Sequence, residues 1–205
     1  MQMVCLDLEG VLVPEIWINF AEKTGIEELR LTTRDVPDYD VLMQGRLRIL
    51  KERGLTLPDI QEVIGSLSPL PGALEFLDSL RAKTQVVILS DTFTEFAQPL
   101  MRKLGWPTIF CNDLIVDASG TITGYTLRQK DGKYKAVKAL QSIGFTVFAA
   151  GDSYNDLTMI KAADKGALFR APNRILQEEP QLPHAVTYDE FMIIIDTFHS
   201  NGKSL

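Results

Sequence analysis

Along most of the chain, short unbroken apolar runs alternate with longer stretches of helical period. Met3 to Leu8, Gln85 to Leu89 and Thr146 to Ala150 are dominated by apolar residues with little period-two alternation. That pattern belongs to strands covered on both faces in a parallel sheet. Helical stretches follow most of them, which predicts an α/β architecture with helices on both faces of the sheet. Between Val116 and Leu127, the tetrapeptide Asp117-Ala118-Ser119-Gly120 separates two β-prone runs and predicts a hairpin on the sheet edge.

From Pro14 to about Leu70 the alternation stops. Three amphipathic stretches, Glu15 to Thr24, Asp38 to Arg53 and Asp59 to Leu67, follow one another with no strand between them, and Pro69, Pro71 and Gly72 punctuate the return. The expected organisation is a core of residues 1–13 and 72–205 with a helical cap, residues 14–71, inserted after the first strand. An insertion at the carboxyl end of a strand lies over the crevice where open α/β sheets bind ligands, so the cap is expected to act as a lid.

Composition narrows the function classes. With 205 residues, 45% hydrophobic and 23% charged, the chain has enough apolar material for one compact core and is not disordered. Its 21 Lys+Arg against 27 Asp+Glu leave a net charge of -6, so no basic field gathers nucleic-acid phosphates. Cys5 and Cys111 are too few for a disulfide framework. The first apolar run is too short for a secretory signal or a membrane span and carries Asp7. A cytoplasmic protein, a monomer or homodimer with no membrane or nucleic-acid partner, is expected.

Polar groups gather where the predicted strands end: Asp7-Leu8-Glu9-Gly10, Ser90-Asp91-Thr92, and Gly151-Asp152-Ser153-Tyr154-Asn155-Asp156. If the first strand runs on to Glu9, a period of two turns Asp7 and Glu9 to one side, where they share a site with Asp152 if the strands are neighbours. Carboxylates brought together raise one another's pKa unless a cation lies between them, and an all-oxygen donor set suits Mg²⁺ better than Zn²⁺. Taken singly, each residue has a plainer reading. Ser90 and Asp152 are favoured helix N-caps. Glu15, after Pro14, is an ordinary acid in the first turn of a helix. Arg46 interrupts the apolar stripe Tyr39, Met43 and Leu50 as a snorkelling side chain would. Lys133 begins a helix predicted over Lys133 to Ile143, where the helix dipole disfavours a cation. Trp17 and Trp106 read as packing residues, His184 and His199 lie far from the clusters, and Ser200 to Leu205 reads as a loose terminus.

The three clusters, in this order, resemble the motifs of the haloacid-dehalogenase-like phosphotransferases, and the resemblance covers nearly the whole chain. Within that superfamily, a helical insertion carrying Glu15 and Arg46 is similar to that of the phosphoserine phosphatases. The runs Asp7 to Glu15, Ser90-Asp91-Thr92-Phe93 and Gly151 to Asp156 resemble most a bifunctional branch that moves phosphate from phosphoserine to homoserine or to water. The resemblance implies a Rossmann-like core with a helical cap, Asp7 as nucleophile and Glu9 as general acid and base. It implies Mg²⁺ held by Asp7, Asp152 and the backbone carbonyl of Glu9, with Asp156 and Asn155 in support. Ser90, the backbone N–H groups of Asp91 and Thr92, taken to lie where a helix begins, and Lys133 would bind phosphate. Lys133 is preferred to Lys130 as the motif lysine. Arg46 would grip the substrate carboxylate and Glu15 its ammonium group. The chain departs from the pattern in having Glu9 where most relatives carry Asp, Asp91 where ordinary phosphoserine phosphatases carry a small residue, and Glu15 one residue closer to Asp7.

Three other functions fit parts of this pattern. One is a phosphatase that acts on phosphoserine or another small phosphomonoester without transfer to homoserine. The second is a signalling receiver domain phosphorylated on Asp7, although receivers are shorter and lack an insertion after the first strand. The third is a phosphate-ligand binder without turnover.

Overall fold

The computed structural model describes residues 1–32, 35–36 and 38–201, with nothing said of the side chain at 201. Its strands are β1 (Gln2–Leu6), β2 (Gln85–Phe93), β3 (Ile109–Val116), β4 (Ile122–Thr126), β5 (Thr146–Gly151), β6 (Lys165–Phe169) and β7 (His184–Ala185). Its α-helices are α1 (Ile16–Thr24), α2 (Tyr39–Glu52), α3 (Leu57–Ser66), α4 (Ala73–Arg81), α5 (Thr94–Lys103), α6 (Gly132–Ser142), α7 (Leu157–Ala162), α8 (Asn173–Glu178) and α9 (Tyr188–Asn201). The strands form one sheet in the order β4-β3-β2-β1-β5-β6-β7. All neighbours are parallel except the β3–β4 hairpin at one edge.

Strand order reverses at β1. Successive strands β2 and β3 lie on one side of it and β5, β6 and β7 on the other, so the carboxyl end of β1 is the switch point where α/β sheets open a ligand crevice. Cys5 pairs with both Val87 and Ala149, which fixes the register of the three central strands.

Side chains on these strands alternate between two apolar layers. Val4, Leu6, Ile88, Phe148 and Phe169 face the core built with α4, α5 and α9; Cys5, Val87, Leu89, Val147 and Leu168 face the core built with α6, α7 and α8. Both faces are therefore dry, which is why the central strands read as unbroken apolar runs.

The helical segment between β1 and α4 shares the first of these cores: Phe20, Met43, Leu50 and Ile64 belong to the same apolar cluster as Leu6 and Ile88. Asp38 starts α2 by accepting the amides of Asp40 and Val41 at 2.9 and 3.1 Å, satisfying two N–H groups the helix itself leaves over. The hairpin braces the segment from outside, because the amide of Leu57 donates to the carbonyl of Gly120 at 2.8 Å and Tyr125 Oη donates to Asp40 at 2.6 Å.

Several sequence expectations are corrected. β1 ends at Leu6, not Leu8: the amide of Asp7 still donates to Ala150 at 2.9 Å, but Leu12 and Val13 then turn back onto the carbonyl of Leu8 and Gly10 takes a φ of 75°. Asp7 and Glu9 are thus not two positions of one strand. β2 runs on through Phe93, so Ser90, Asp91 and Thr92 lie in its irregular final turn of strand, and the following helix begins only at Thr94. Trp106 is 61% exposed with a positive φ and is no packing residue. Ser200 is helical, the last side chain described in α9, and the remainder of the expected loose terminus, 202–205, lies outside the described residues. Among the described residues no helix is long and apolar enough to cross a membrane.

Candidate active site

Asp7 stands at the switch point with its carboxylate buried. Its Oδ1 accepts the amide of Leu8 at 2.7 Å and meets Lys133 Nζ at 2.9 Å, while Oδ2 accepts no hydrogen bond among the described residues. Lys133 enters from the first turn of α6, just after Asp131, which takes a left-handed φ of 55°. Lys133 is 7% exposed, and its ammonium also lies 2.7 Å from Asp156 Oδ1 and 3.6 Å from Asp91 Oδ2. Burial would lower its pKa, but Asp156, Asp7 and Asp91 outweigh burial and hold it well above the usual lysine value. These carboxylates overcome the unfavourable helix dipole. Lys130 lines a neighbouring cavity of about 370 Å³ and makes no ion pair among the described residues.

Asp156 is fully buried and anchored. Besides Lys133, its Oδ2 accepts the amides of Asp152 and Ser153 at 3.1 and 3.0 Å and the Ser153 hydroxyl at 3.0 Å. Asp7, Asp152 and Asp156 each offer a carboxylate oxygen within 4.8 Å of the others. Burial raises the Asp7 pKa well above the carboxylate range, Asp156 adds to the rise, and Lys133 opposes it. Asp152 is pushed up to about 7 by burial and by Asp156 and Glu15. Two glycines admit this cluster: a Cβ on Gly10 would overlap the carboxylate of Asp152, and one on Gly151 would overlap that of Asp156. Three clustered acids without histidine or cysteine form a donor set for a hard cation.

The carboxylate of Glu9 is outside this cluster. Its Oε2 accepts the amide of Ile16 at 2.8 Å, so Glu9 caps the N-terminus of α1. Burial, and secondly the charge of Glu15, push its pKa to about 8, against the opposing pull of the Ile16 amide and Arg46.

On the other flank, Ser90 and Thr92 are buried and the Thr92 amide donates to Ser90 Oγ at 3.2 Å. Asp91 is accommodated because its side chain is 49% exposed and faces Lys133, while its carbonyl accepts from Asn112 Nδ2 at 3.0 Å and Tyr39 Oη at 3.4 Å. A cavity of about 110 Å³ is lined by Asp7, Glu9, Glu15, Ser90, Asp91, Thr92, Lys133, Asp152 and Asn155, together with Trp17 and Tyr39.

Arg46 lies behind this lining. The residue is 7% exposed and its guanidinium carbon lies 4.4 Å from the centre of the Trp17 ring; Nη2 donates to the carbonyl of Leu31 at 2.7 Å, and Nε has no hydrogen-bond partner among the described residues. Burial lowers its pKa to about 10. The structure brings all the sequence-selected residues to one place, with Arg46 and Asp156 one layer back. Sequence reasoning missed Tyr39 and Trp17 as lining residues. Tyr39 shares a helix face with Arg46, and Trp17 follows Glu15 by two positions, but spacing alone does not separate a lining aromatic from a core one.

Comparison with known proteins finds relatives over most of the chain. A family model described as haloacid dehalogenase-like hydrolase matches residues 1–164. A phosphoserine phosphatase of Pseudomonas syringae pv. tomato is 62% identical over 92% of this chain and 80% of its own length. Phosphoserine phosphatase ThrH of Pseudomonas aeruginosa is 62% identical over 93% of each chain. Among solved structures, an apo phosphoserine phosphatase superposes with a TM-score of 0.71 over 87% of this chain and 90% of that one at 24% identity, a likeness of fold.

Proposed function

The chain belongs to the haloacid dehalogenase-like hydrolase family, and from that premise we propose that it is a Mg²⁺-dependent phosphotransferase acting on O-phosphoserine. On this reading Asp7 takes the phosphoryl group and passes it to the hydroxyl of homoserine or to water. Residues 14–71 serve as the cap over a core of residues 1–13 and 72–205. The names of the two 62%-identical relatives support the substrate class. Two free thiols and an acidic charge balance support a cytoplasmic enzyme on small metabolites.

The observation that carries the reading is the division of labour within Asp7. Leu8 and Lys133 fix Oδ1, and Oδ2 is left as the nucleophile of a residue that lines the same cavity as Ser90 and Thr92. In the first half-reaction Oδ2 bonds to phosphorus in line as the bond to the serine oxygen breaks, and Glu9 gives that oxygen its proton. A carboxyl with a pKa of about 8 holds this proton at neutral pH. In the second half-reaction Glu9 takes the acceptor hydroxyl's proton as that oxygen attacks phosphorus and Asp7 leaves. Lys133, Ser90 and the amides of Asp91 and Thr92 hold the phosphoryl oxygens. Mg²⁺, when bound, would be held by Asp7, Asp152 and the Glu9 backbone carbonyl, with Asp156 and Asn155 in support, and would neutralise phosphoryl charge. Arg46 and Glu15 bind the substrate's carboxylate and ammonium groups, a pair that serine and homoserine share. One methylene separates the two alcohols by only about 1 to 3 kcal/mol, so one clamp serves both.

The test is a product assay with phosphoserine and Mg²⁺, with and without homoserine, quantifying serine, inorganic phosphate and phosphohomoserine. Phosphohomoserine formed at the expense of free phosphate supports transfer. Free phosphate alone reduces the reading to a phosphatase, and no turnover overturns it.

A further inference from the structure

Arg46 is a buried cation on which the charges of Glu9 and Glu15 act only from a distance. No carboxylate lies within 4 Å of its guanidinium among the described residues, Nη1 has only the sulfur of Met43 at 3.7 Å, and Nε has nothing. Removing a charge from water is costly unless something compensates for the lost hydration. Here an aromatic face adds to the Leu31 carbonyl and the charges of Glu9 and Glu15: the Trp17 indole lies 4.4 Å from the guanidinium carbon. Trp17 in turn is fixed edge-on against Phe96 and Phe20, with ring centres 5.4 and 6.3 Å away, so it is a rigid plate and not a swinging lid.

The same indole lines the cavity above Asp7, and Arg46 does not. One side chain therefore borders both the buried guanidinium and the space a substrate occupies. Resting on the reading of Arg46 as the carboxylate-binding group, we infer that Trp17 is its positioning residue. The indole, which borders both the guanidinium and the cavity, holds the guanidinium in place for a substrate carboxylate, and it thereby sets selectivity for phosphomonoesters that bear one. A freely rotating arginine would lose side-chain entropy on each binding event, whereas a stacked one is ordered beforehand. The chemistry of phosphoryl transfer does not pass through Trp17, so its effect belongs in KM and not in kcat.

The experiment compares wild type, Trp17→Leu and Trp17→Phe on phosphoserine and on phosphoethanolamine, which keeps the ammonium group and phosphate but lacks the carboxylate. Trp17→Leu is expected to raise KM for phosphoserine about threefold to thirtyfold, the range of a cation–π contact, with kcat within about twofold. Trp17→Phe should recover part of the loss. Phosphoethanolamine should lose less than phosphoserine does, and urea denaturation checks that the variants fold. A second readout uses Trp106→Phe, an exposed position remote from the cavity, so that Trp17 is the only tryptophan: L-serine should change its emission and ethanolamine should not. Equal losses on both substrates, an unchanged KM for phosphoserine or a lowered one would overturn the role of Trp17. If the wild type does not act on phosphoserine, the functional reading fails first, and if Arg46→Ala raises KM while Trp17→Leu does not, only the present inference fails.

Discussion

The amide of Ile16 donates to Glu9 Oε2 at 2.8 Å, so the carboxyl group proposed as general acid also starts the first helix of the insertion. An aspartate at position 9 has one methylene fewer with which to span that distance. Glu9→Asp is therefore expected to lose the cap, at about 1 kcal/mol of stability, as well as activity. Glu9→Gln keeps a carbonyl oxygen for Ile16 but has no proton to give. It should unfold within about 0.5 kcal/mol of wild type while turnover falls about 10² to 10⁴-fold. Urea denaturation and steady-state kinetics on the two variants separate the roles.

Among the described residues, Lys133 is the cation that ion-pairs with the buried acids Asp7 and Asp156. Asp156 is wholly buried with the ammonium 2.7 Å away, so Lys133→Met leaves a buried acid unpaired. The expected cost is about 3 to 5 kcal/mol, with no measurable turnover. Lys130→Ala, at an exposed site with no ion pair among the described residues, should stay within about 0.5 kcal/mol of wild type in the same denaturation measurement.

Metal-free protein should show an inverted pH dependence. Burial, with Asp156 and Glu15, raises Asp152 from 3.8 to about 7, and Asp7 is raised as well. A raised carboxyl favours its protonated form in the folded state, so its contribution is greatest below the unfolded pKa and is lost as pH rises through the folded one. Melting temperature in EDTA should fall between about pH 4 and pH 7, and added MgCl₂ should reverse the fall at the upper end. A flat profile in EDTA would contradict the buried acid cluster.

Gly151 is required by the space Asp156 occupies, since a Cβ there would overlap its carboxyl group. Gly151→Ala is expected to destabilise by about 1 to 3 kcal/mol and to abolish the Mg²⁺-dependent rise in melting temperature. Both are readable in one thermal scan.

How much of this was legible in the sequence depended on how local the determining physics is. The central strands were visible because both of their faces are dry; β6 and β7 are short, and β7 has only His184 and Ala185, too little for a pattern. The spacing Gly151-Asp152-x-x-x-Asp156 marked the acids but not the complete burial of Asp156, which depends on packing from α6 through Lys133. Treating Asp7 and Glu9 as strand neighbours failed because Gly10 turns the chain at once. Placing Ser90 to Thr92 at a helix start failed because the strand continues past them to Phe93. Trp17 read as core because an aromatic that packs on Phe20 and Phe96 and one that faces a cavity occupy the same helical stripe; this residue does both.

The central claim, that Asp7 carries the phosphoryl group, is tested most directly by quenching the enzyme in acid during turnover of ³²P-phosphoserine, reducing the acyl-phosphate with borohydride and mapping the modified residue by mass spectrometry. The expected result is modification at Asp7 alone, lost when homoserine is added before the quench and absent in Asp7→Asn. Modification at another residue, or continued turnover by Asp7→Asn, would contradict it.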